Sequence, residues 1–193
     1  MSPVTHFFTD WVLGSVVVST KRERAIVTLA AVVPDVDGLG IIPELLTRQS
    51  RHPLLWFSQY HHALHTLPFA IAVSCLTFFL AGRRWTPTIF AFISFHLHLV
   101  EDLVGSRGPD GLVWPIPYLF PFSNRWTWSW SGQWALNALP NVTLTVALIS
   151  VALWVAVGWG FSPIELFSTA ADRAVVRTLR KRFRRAHPSS VGI

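Results

Sequence analysis

Apolar residues in this chain form long runs, and ionisable residues are mostly confined to the ends of those runs. Residues 144–160 carry no charge and, with the uncharged residues before them, reach the roughly 20 residues that a membrane-spanning helix needs. The pattern predicts an all-α polytopic membrane helical bundle with about five membrane-associated helices. We expect these helices within residues 7–19, 25–33, 66–82, 85–105 and 137–160. The first two are too short to span alone, so they either pack on the others or lie at the interface.

The composition strengthens the membrane assignment. The 193 residues are 51% hydrophobic and 13% charged and include 10 Trp, whereas a soluble domain carries roughly 25% charged residues. We therefore predict a membrane-embedded domain over residues 1–165 and a basic cytoplasmic tail over 166–193.

Basic residues are grouped at 21–24, at 83–84 and in the tail between 173 and 185. A basic run can bind nucleic acid, but beside an apolar span it more often marks the cytoplasmic side and contacts anionic lipid. We expect membrane lipid, and no nucleic acid, as a partner.

With all three basic groups on the cytoplasmic side, the chain makes five passes, and loops 34–60 and 106–135 lie on the opposite side. Seven histidines and aspartates then fall at that opposite membrane face. Ionisable residues at such a place are candidates for function because they are costly to keep there. They are His6, Asp35, Asp37, His61, His65, His98 and Asp102.

The segment 106–135 is rich in Pro, Gly and Trp and cannot be one regular helix. Trp126, Trp128 and Trp130 alternate with small polar residues, which indicates a short extended piece with one aromatic face. An interfacial aromatic belt is favoured over a lid or lipid-binding wall above a polar site.

Two pairs of residues that commonly bind metals are spaced four positions apart, so each pair lies on one face of a helix. His98 and Asp102 are four residues apart, so they project from one helix face, whereas His96 points nearly the opposite way. His61 and His65 have the same spacing, with His62 and His65 as the competing pair. Two imidazoles on successive turns can reach one metal ion.

Carboxylates come from "VVPDVDG", where Pro34 ends an apolar helix and leaves Asp35 and Asp37 in a turn. Imidazole with carboxylate suits zinc, with manganese or iron as alternatives. An open position on such an ion could activate water as a nucleophile.

The stretches "THFFTD", "VVPDVD", "YHHALHTL", "HLHLVED" and "GPDGLVWPIP", in this order over residues 5–122, resemble the YdjM-type family of bacterial inner-membrane-associated metal-dependent hydrolases, described as LexA-regulated in some members. The resemblance implies a bacterial inner-membrane location and a divalent metal site, for which we predict these seven residues as the ligands: His6, Asp35, Asp37, His61, His65, His98 and Asp102. The family's first central histidine would fall on Tyr60 here. Either His61 takes its role through a one-residue shift, which we favour, or that ligand and the activity are lost.

The family is distantly similar to zinc-dependent phospholipase C and to single-strand nucleases of the same α-helical fold. That analogy implies hydrolysis of an ester or phosphoester, including one in a lipid, with Arg107 and His62 as candidates to hold an anionic headgroup. The rival functions are a metal-ion or proton transporter and a degenerate, non-catalytic member of the family. A transporter should spread its polar residues through the bilayer, whereas a hydrolase should cluster its ligands at one depth.

Overall fold

The structure is a computed structural model, and it describes residues 1–108 and 111–183. Helices dominate the described residues, where the two strands have two residues each, so the predicted all-α class is confirmed. In chain order the elements are α1 (Pro3–Val17), α2 (Lys21–Val32), the 3₁₀ helix η1 (Val33–Gly40), α3 (Ile41–Thr47), α4 (Trp56–Tyr60), α5 (Leu67–Leu80), α6 (Trp85–Gly105), β1 (Ile116–Pro117), β2 (Thr127–Trp128), α7 (Leu139–Trp159), the 3₁₀ helix η2 (Pro163–Leu166) and α8 (Thr169–Phe183).

Three helices begin where the sequence supplies a capping side chain. The hydroxyl oxygens of Ser2, Thr20 and Thr66 each accept a hydrogen bond from a backbone N–H three residues later, at 3.2, 3.2 and 3.3 Å. Proline occupies the first turn of α1 and of α5, where a missing N–H costs no hydrogen bond. These caps set the starts of α1, α2 and α5.

Three segments of the described chain are long and apolar enough to cross a membrane: Lys21–Thr47, Trp85–Gly105 and Leu139–Trp159. Helix α5 is apolar but shorter. Only 17% of the most apolar window of α7 is buried inside the protein, and such exposure of an apolar helix is typical of contact with lipid. The chain is a membrane protein, while the number of passes and the cytoplasmic side of the tail stay predictions.

The long helices alternate in direction along the chain, so their starts and ends meet at two chemically different ends of the bundle. The hydroxyls of Thr5 and Thr145, near the starts of α1 and α7, are 2.7 Å apart at one end, where α6 finishes. At the other end the carboxylate of Glu23 accepts a hydrogen bond from the backbone N–H of Arg83 at 3.2 Å. We call these the histidine end and the basic end, since all described members of the three basic groups lie at the second.

Residues 34–60, expected as a loop, are largely short helices. Helix α2 ends at Val32 and continues as η1, because Pro34 cannot donate the next α-helical hydrogen bond. Helices α3 and α4 then fold back on η1, and Gly40 permits the contact: a Cβ there would lie 2.9 Å from the backbone nitrogen of Phe57. The two aspartates of "PDVD" are therefore held on a rigid turn.

The Trp-rich segment contains the predicted extended piece. Strand β2 pairs antiparallel with β1, and Tyr118 stacks on Trp128 with ring centroids 4.1 Å apart. Gln133 of this segment donates from its amide to the carbonyl oxygen of Asp102 at 2.8 Å. Asn141 of α7 donates to the carbonyl oxygens of Gly105 and Ala135 at 2.9 and 3.1 Å, which also joins the segment to the end of α6. These bonds satisfy carbonyls at the end of α6 and fix the loop over the histidine end.

Helix α7 ends at Gly160, whose φ of 88° is left-handed and therefore suits glycine. The Arg180 guanidinium of α8 donates to the carbonyl oxygens of Val157 and Gly158 at 2.9 and 3.2 Å, which ties α8 to this helix end. The last part of the predicted basic tail, residues 184–193, lies outside the described residues.

A buried ion pair closes the basic end. Arg24 of α2 donates from Nε and Nη2 to the two carboxylate oxygens of Glu165 at 2.6 and 2.7 Å. Its guanidinium also lies 4.0 Å from the ring centroid of Phe161. Both charged side chains are more than nine-tenths buried, so each depends on the other for compensation.

Replacing Glu165 by alanine should destabilise the fold by about 3–5 kcal/mol, because it leaves the Arg24 charge buried and unpaired. Unfolding of the purified protein in mixed micelles, followed by circular dichroism, measures this loss. The matched control is Glu44→Ala, which removes an exposed carboxylate that contacts Ser58 and should have a much smaller effect. Equal losses in the two variants would contradict a special role of the ion pair.

Candidate metal centre

Four ligand-type side chains from three helical elements meet at the histidine end. His6 comes from α1, Asp35 from η1, and His98 and Asp102 from α6. One donor atom of each lies within 4.8 Å of those of the others. His6, His98 and Asp102 are buried and Asp35 is half-buried, so the cluster is sheltered from bulk solvent.

His65 adds a third imidazole to this cluster. Its Nε2 lies 3.4 Å from Asp102 Oδ2 and 3.8 Å from Asp35 Oδ1, while His98 Nε2 lies 3.2 and 3.8 Å from the same two oxygens. His65 sits in the turn just before α5, where the Thr66 cap fixes the chain. Residues separated by almost a hundred positions thus surround a pair of carboxylates.

Asp37 and His61 lie one step further out. Asp37 Oδ1 accepts a hydrogen bond from His61 Nδ1 at 2.7 Å, and its Oδ2 faces His65 Nδ1 at 3.4 Å. The same Oδ2 accepts a hydrogen bond from the backbone N–H of Leu64 at 3.2 Å. Asp37 thus contacts the Nδ1 side of both imidazole rings. Carboxylates in this position commonly orient histidines that bind a metal through Nε2.

Glu101 has the corresponding position behind His6, and the sequence argument left it without a role. His6 Nδ1 donates to Glu101 Oε2 at 2.6 Å, while His6 Nε2 faces Asp102 Oδ1 at 3.1 Å. The hydroxyl of Thr9 donates to Glu101 Oε1 at 2.7 Å and holds the carboxylate in place. The sequence feature that could have identified Glu101 is a second acidic residue beside Asp102 in an otherwise apolar helix.

The cluster has the properties of a cation site. Asp35 Oδ2, His98 Nδ1 and His98 Nε2 are buried and make no hydrogen bond within the described structure, although buried polar atoms normally do. Burial disfavours protonation of His65, but the carboxylates of Asp102, Asp35 and Asp37 outweigh it and raise the pKa of His65 well above its ordinary value. A bound divalent cation would supply the positive charge that these carboxylates demand, so the residues fit a metal ion with nitrogen and oxygen ligands.

A cavity of about 460 Å³ opens beside the cluster. Polar atoms reach it from Asp35, His61, Asp102 and Arg107. Its volume lies in the range typical of small-molecule sites, and much of its wall is apolar. The apolar wall is formed by residues from η1, α4 and the Trp-rich segment, among them Leu39, Phe57, Trp114 and Leu136.

Arg107 supplies a cation to this cavity. Its guanidinium donates to the carbonyl oxygen of Ser131, its Nε is buried without a hydrogen-bond partner, and it forms no ion pair with any described residue. A guanidinium that lines a cavity suits a phosphate or carboxylate. The predicted headgroup-binding residue is therefore placed where such a group would enter.

The predicted companion, His62, is placed differently. Its ring packs on Trp114 with centroids 4.2 Å apart and does not line the cavity. Burial, together with the neighbouring rings of His61 and His65, lowers the pKa of His62 to about 4. A neutral imidazole at that position would bring no positive charge to an anionic headgroup, and the binding role of His62 stays a prediction.

His96 stays apart from the cluster, as its position on α6 predicts. Its Nδ1 donates to the carbonyl oxygen of Phe92 at 2.8 Å, and its Nε2 lies 2.9 Å from the hydroxyl of Tyr118. It supports the Trp-rich segment and provides an internal reference for the histidines of the cluster.

Fold and site together define a helical membrane protein with a sheltered His and Asp cluster at one end of its bundle. Residues 1–169 match the YdjM inner membrane protein family, so the chain belongs to that family and the resemblance read from the motifs is confirmed. No curated protein matches the chain. No solved structure matches it either.

Replacing His98 by alanine should abolish stoichiometric metal binding, because it removes a buried nitrogen from the centre of the cluster. Elemental analysis of purified protein, loaded with zinc or manganese and then desalted, measures the bound metal. His96→Ala, two residues away on the same helix, should keep the wild-type metal content. A wild-type protein that retains no metal would contradict the assignment of the cluster as a metal centre.

Replacing Glu101 by glutamine should weaken metal binding by roughly 10–100-fold, because the carboxylate that orients His6 and increases its basicity is lost. Competition with a chromogenic chelator measures the affinity. Glutamine keeps the shape and the hydrogen bond from Thr9, so folding should be little affected. An affinity equal to that of wild type would show that Glu101 has no positioning role.

Proposed function

We propose that the protein is a membrane-bound, metal-dependent hydrolase that cleaves an ester or phosphoester bond of a membrane lipid. The observation that carries this proposal is the junction of a buried His and Asp cluster with a partly apolar cavity lined by the guanidinium of Arg107. Ligands clustered at one depth, beside a cavity of ligand size, suit a reaction site better than a conduction path. We further propose that the basic end is cytoplasmic and the site faces the other side of the bacterial inner membrane.

The metal ligands in this proposal are His6, His65, His98, Asp35 and Asp102. Zinc is the favoured ion, with manganese or iron as alternatives, because the described cluster offers imidazoles and carboxylates and no thiolate. A zinc ion supplies Lewis acidity and lowers the pKa of water to about 7. Asp37 and Glu101 orient their imidazoles through the Nδ1 side, which directs the Nε2 atoms at the cluster.

The other residues have roles in binding and proton transfer. Asp35 lines the cavity, and its buried Oδ2 is without a hydrogen-bond partner, so it can accept a proton from an attacking water when it is not engaged as a ligand. Arg107 binds the negative charge of a phosphate headgroup. The apolar wall restricts water around the reacting group, which strengthens these electrostatic interactions.

One observation favours a second candidate, metal-ion or proton transport. Asp10 of α1 is fully buried beside Ser94 of α6, and neither of its carboxylate oxygens makes a well-formed hydrogen bond in the described structure. Ser94 is also fully buried, and its hydroxyl faces the Asp10 carboxylate. These residues lie one helical turn deeper than His6 and His98, so polar groups extend beyond the cluster towards the middle of the bundle.

Purified protein in mixed micelles with phosphatidylglycerol and zinc or manganese should release products that mass spectrometry identifies as those of ester or phosphoester cleavage. His98→Ala should lower the rate by at least about 100-fold, since metal assistance is lost. Arg107→Gln should raise KM for the anionic lipid more than it lowers kcat. His96→Ala serves as the control and should retain wild-type activity.

Absence of hydrolysis in a metal-loaded wild type across phosphoester and carboxylester lipids would overturn the hydrolase proposal. Metal or proton flux into proteoliposomes that Asp10→Asn abolishes would then support transport. Hydrolysis that is unaffected by Asp10→Asn would instead assign the deeper layer to structure.

A further inference from the structure

A second cavity, separate from the proposed reaction site, lies on the opposite side of η1. It has a volume of about 440 Å³ and is formed by η1, α3, α4 and the turn after α4. We call it the apolar groove. Its lining includes Val36, Asp37, Leu39, Trp56, Ala63 and Leu64.

From these residues we infer that the apolar groove binds an acyl chain of a membrane lipid. The inference rests on the proposed function in one respect, namely that this lipid is the substrate of the adjacent site. The binding of the chain itself requires no metal and no reaction.

The chemistry of the lining selects a hydrocarbon chain. Among the residues that line the groove, Asp37 alone has a charged side chain. Its carboxylate oxygens already accept hydrogen bonds from His61 and from the backbone N–H of Leu64. An extended peptide would bring backbone N–H and C=O groups that this wall could not satisfy, and burying such groups without hydrogen bonds is strongly unfavourable. An acyl chain brings no such groups.

The groove opens towards lipid. No residue of α3 is buried, and Ile42, Leu45 and Leu46 are 52%, 59% and 81% exposed. Helix α3 belongs to the apolar segment Lys21–Thr47, which has the length and hydropathy of a membrane span. Exposed apolar side chains beside such a segment suit contact with hydrocarbon, so a chain would pass from the bilayer into the groove without crossing water.

The groove adjoins the reaction site. Leu39 lines both cavities, and the consecutive residues Trp56 and Phe57 of α4 line the groove and the reaction cavity respectively. Asp37 forms part of the groove wall and lies 3.4 Å from His65, whose opposite nitrogen faces the metal cluster. A lipid with its chain in the groove would hold its glycerol ester region beside the cluster and its charged headgroup near Arg107.

The test measures retention of dimyristoyl phosphatidylglycerol by the full-length, EDTA-washed protein with native mass spectrometry. Ala63→Phe should lower the affinity for this lipid on the order of ten-fold, because the ring replaces a few methylene groups in the groove. Val36→Trp, which narrows the mouth from an exposed position, should act in the same direction. Glycerophosphoglycerol, the headgroup without chains, should bind at least ten-fold more weakly than the lipid.

The matched control is Ala72→Phe, at an exposed position of α5 remote from the groove, and it should bind as wild type does. Wild-type affinity in both groove variants, or an equal loss in Ala72→Phe, would overturn the inference. The bound lipid would then be lipid that covers the apolar surface without a specific site. Because the protein is metal-free in this assay, chain-dependent binding tests the groove alone. Chain-dependent binding here, together with no hydrolysis by the zinc- or manganese-loaded protein, would keep the groove and reject the hydrolase. Hydrolysis that Ala63→Phe leaves unchanged at all chain lengths would reject the groove and keep the hydrolase.

Discussion

The structure depends on compensation of the charge of Asp102 inside an apolar bundle. One or other of its carboxylate oxygens lies 3.1 Å from His6, 3.4 Å from His65 and 3.2 Å from His98, and it also contacts the Met1 amino group and accepts a hydrogen bond from Ser106. Burying a carboxylate without partners costs much free energy, so the loss of any one of these contacts should destabilise the fold. They join α1, the start of α5 and the end of α6 at one point, and the position of the cluster follows from that junction.

The orienting carboxylates extend the same constraint outward. His6 and His65 each have a carboxylate on the Nδ1 side, Glu101 and Asp37 respectively, and the cluster on the Nε2 side. A proton held at Nδ1 leaves the Nε2 lone pair directed at the cluster, which is the form that a metal ligand requires. Asp37 also holds His61, so the shift from Tyr60 to His61 in the central motif keeps an imidazole next to this carboxylate.

Much of the site could be read from sequence because helical spacing is local. The pairs His98 with Asp102 and His61 with His65 follow from the i to i+4 relation, and the positive-inside rule places His6 and Asp35 at the same end. The roles of Glu101 and Asp37 could not be read this way, since each depends on a ring orientation set by a different helix. His62 shows the same limit: its spacing to His65 is suitable, but packing on Trp114 turns it away from the cavity.

The placement of the cluster at the end of the bundle, instead of its middle, bears on the choice between hydrolysis and transport. At this end η1 and the Trp-rich segment form a cavity whose wall contains both apolar side chains and Arg107, so an amphiphile can contact lipid-like and polar surface at once. One helical turn deeper, the polar groups are reduced to Asp10 and Ser94 on α1 and α6, with the fully buried Thr28 on the neighbouring α2 bonded to its own helix. A path for ions across the bilayer would need ligands at successive depths up to the basic end. There Arg24 and Glu165 are paired with each other and are not available as ligands. The geometry of the described residues therefore favours a reaction at one membrane face. Transport that depends on Asp10 would be the observation that speaks against it.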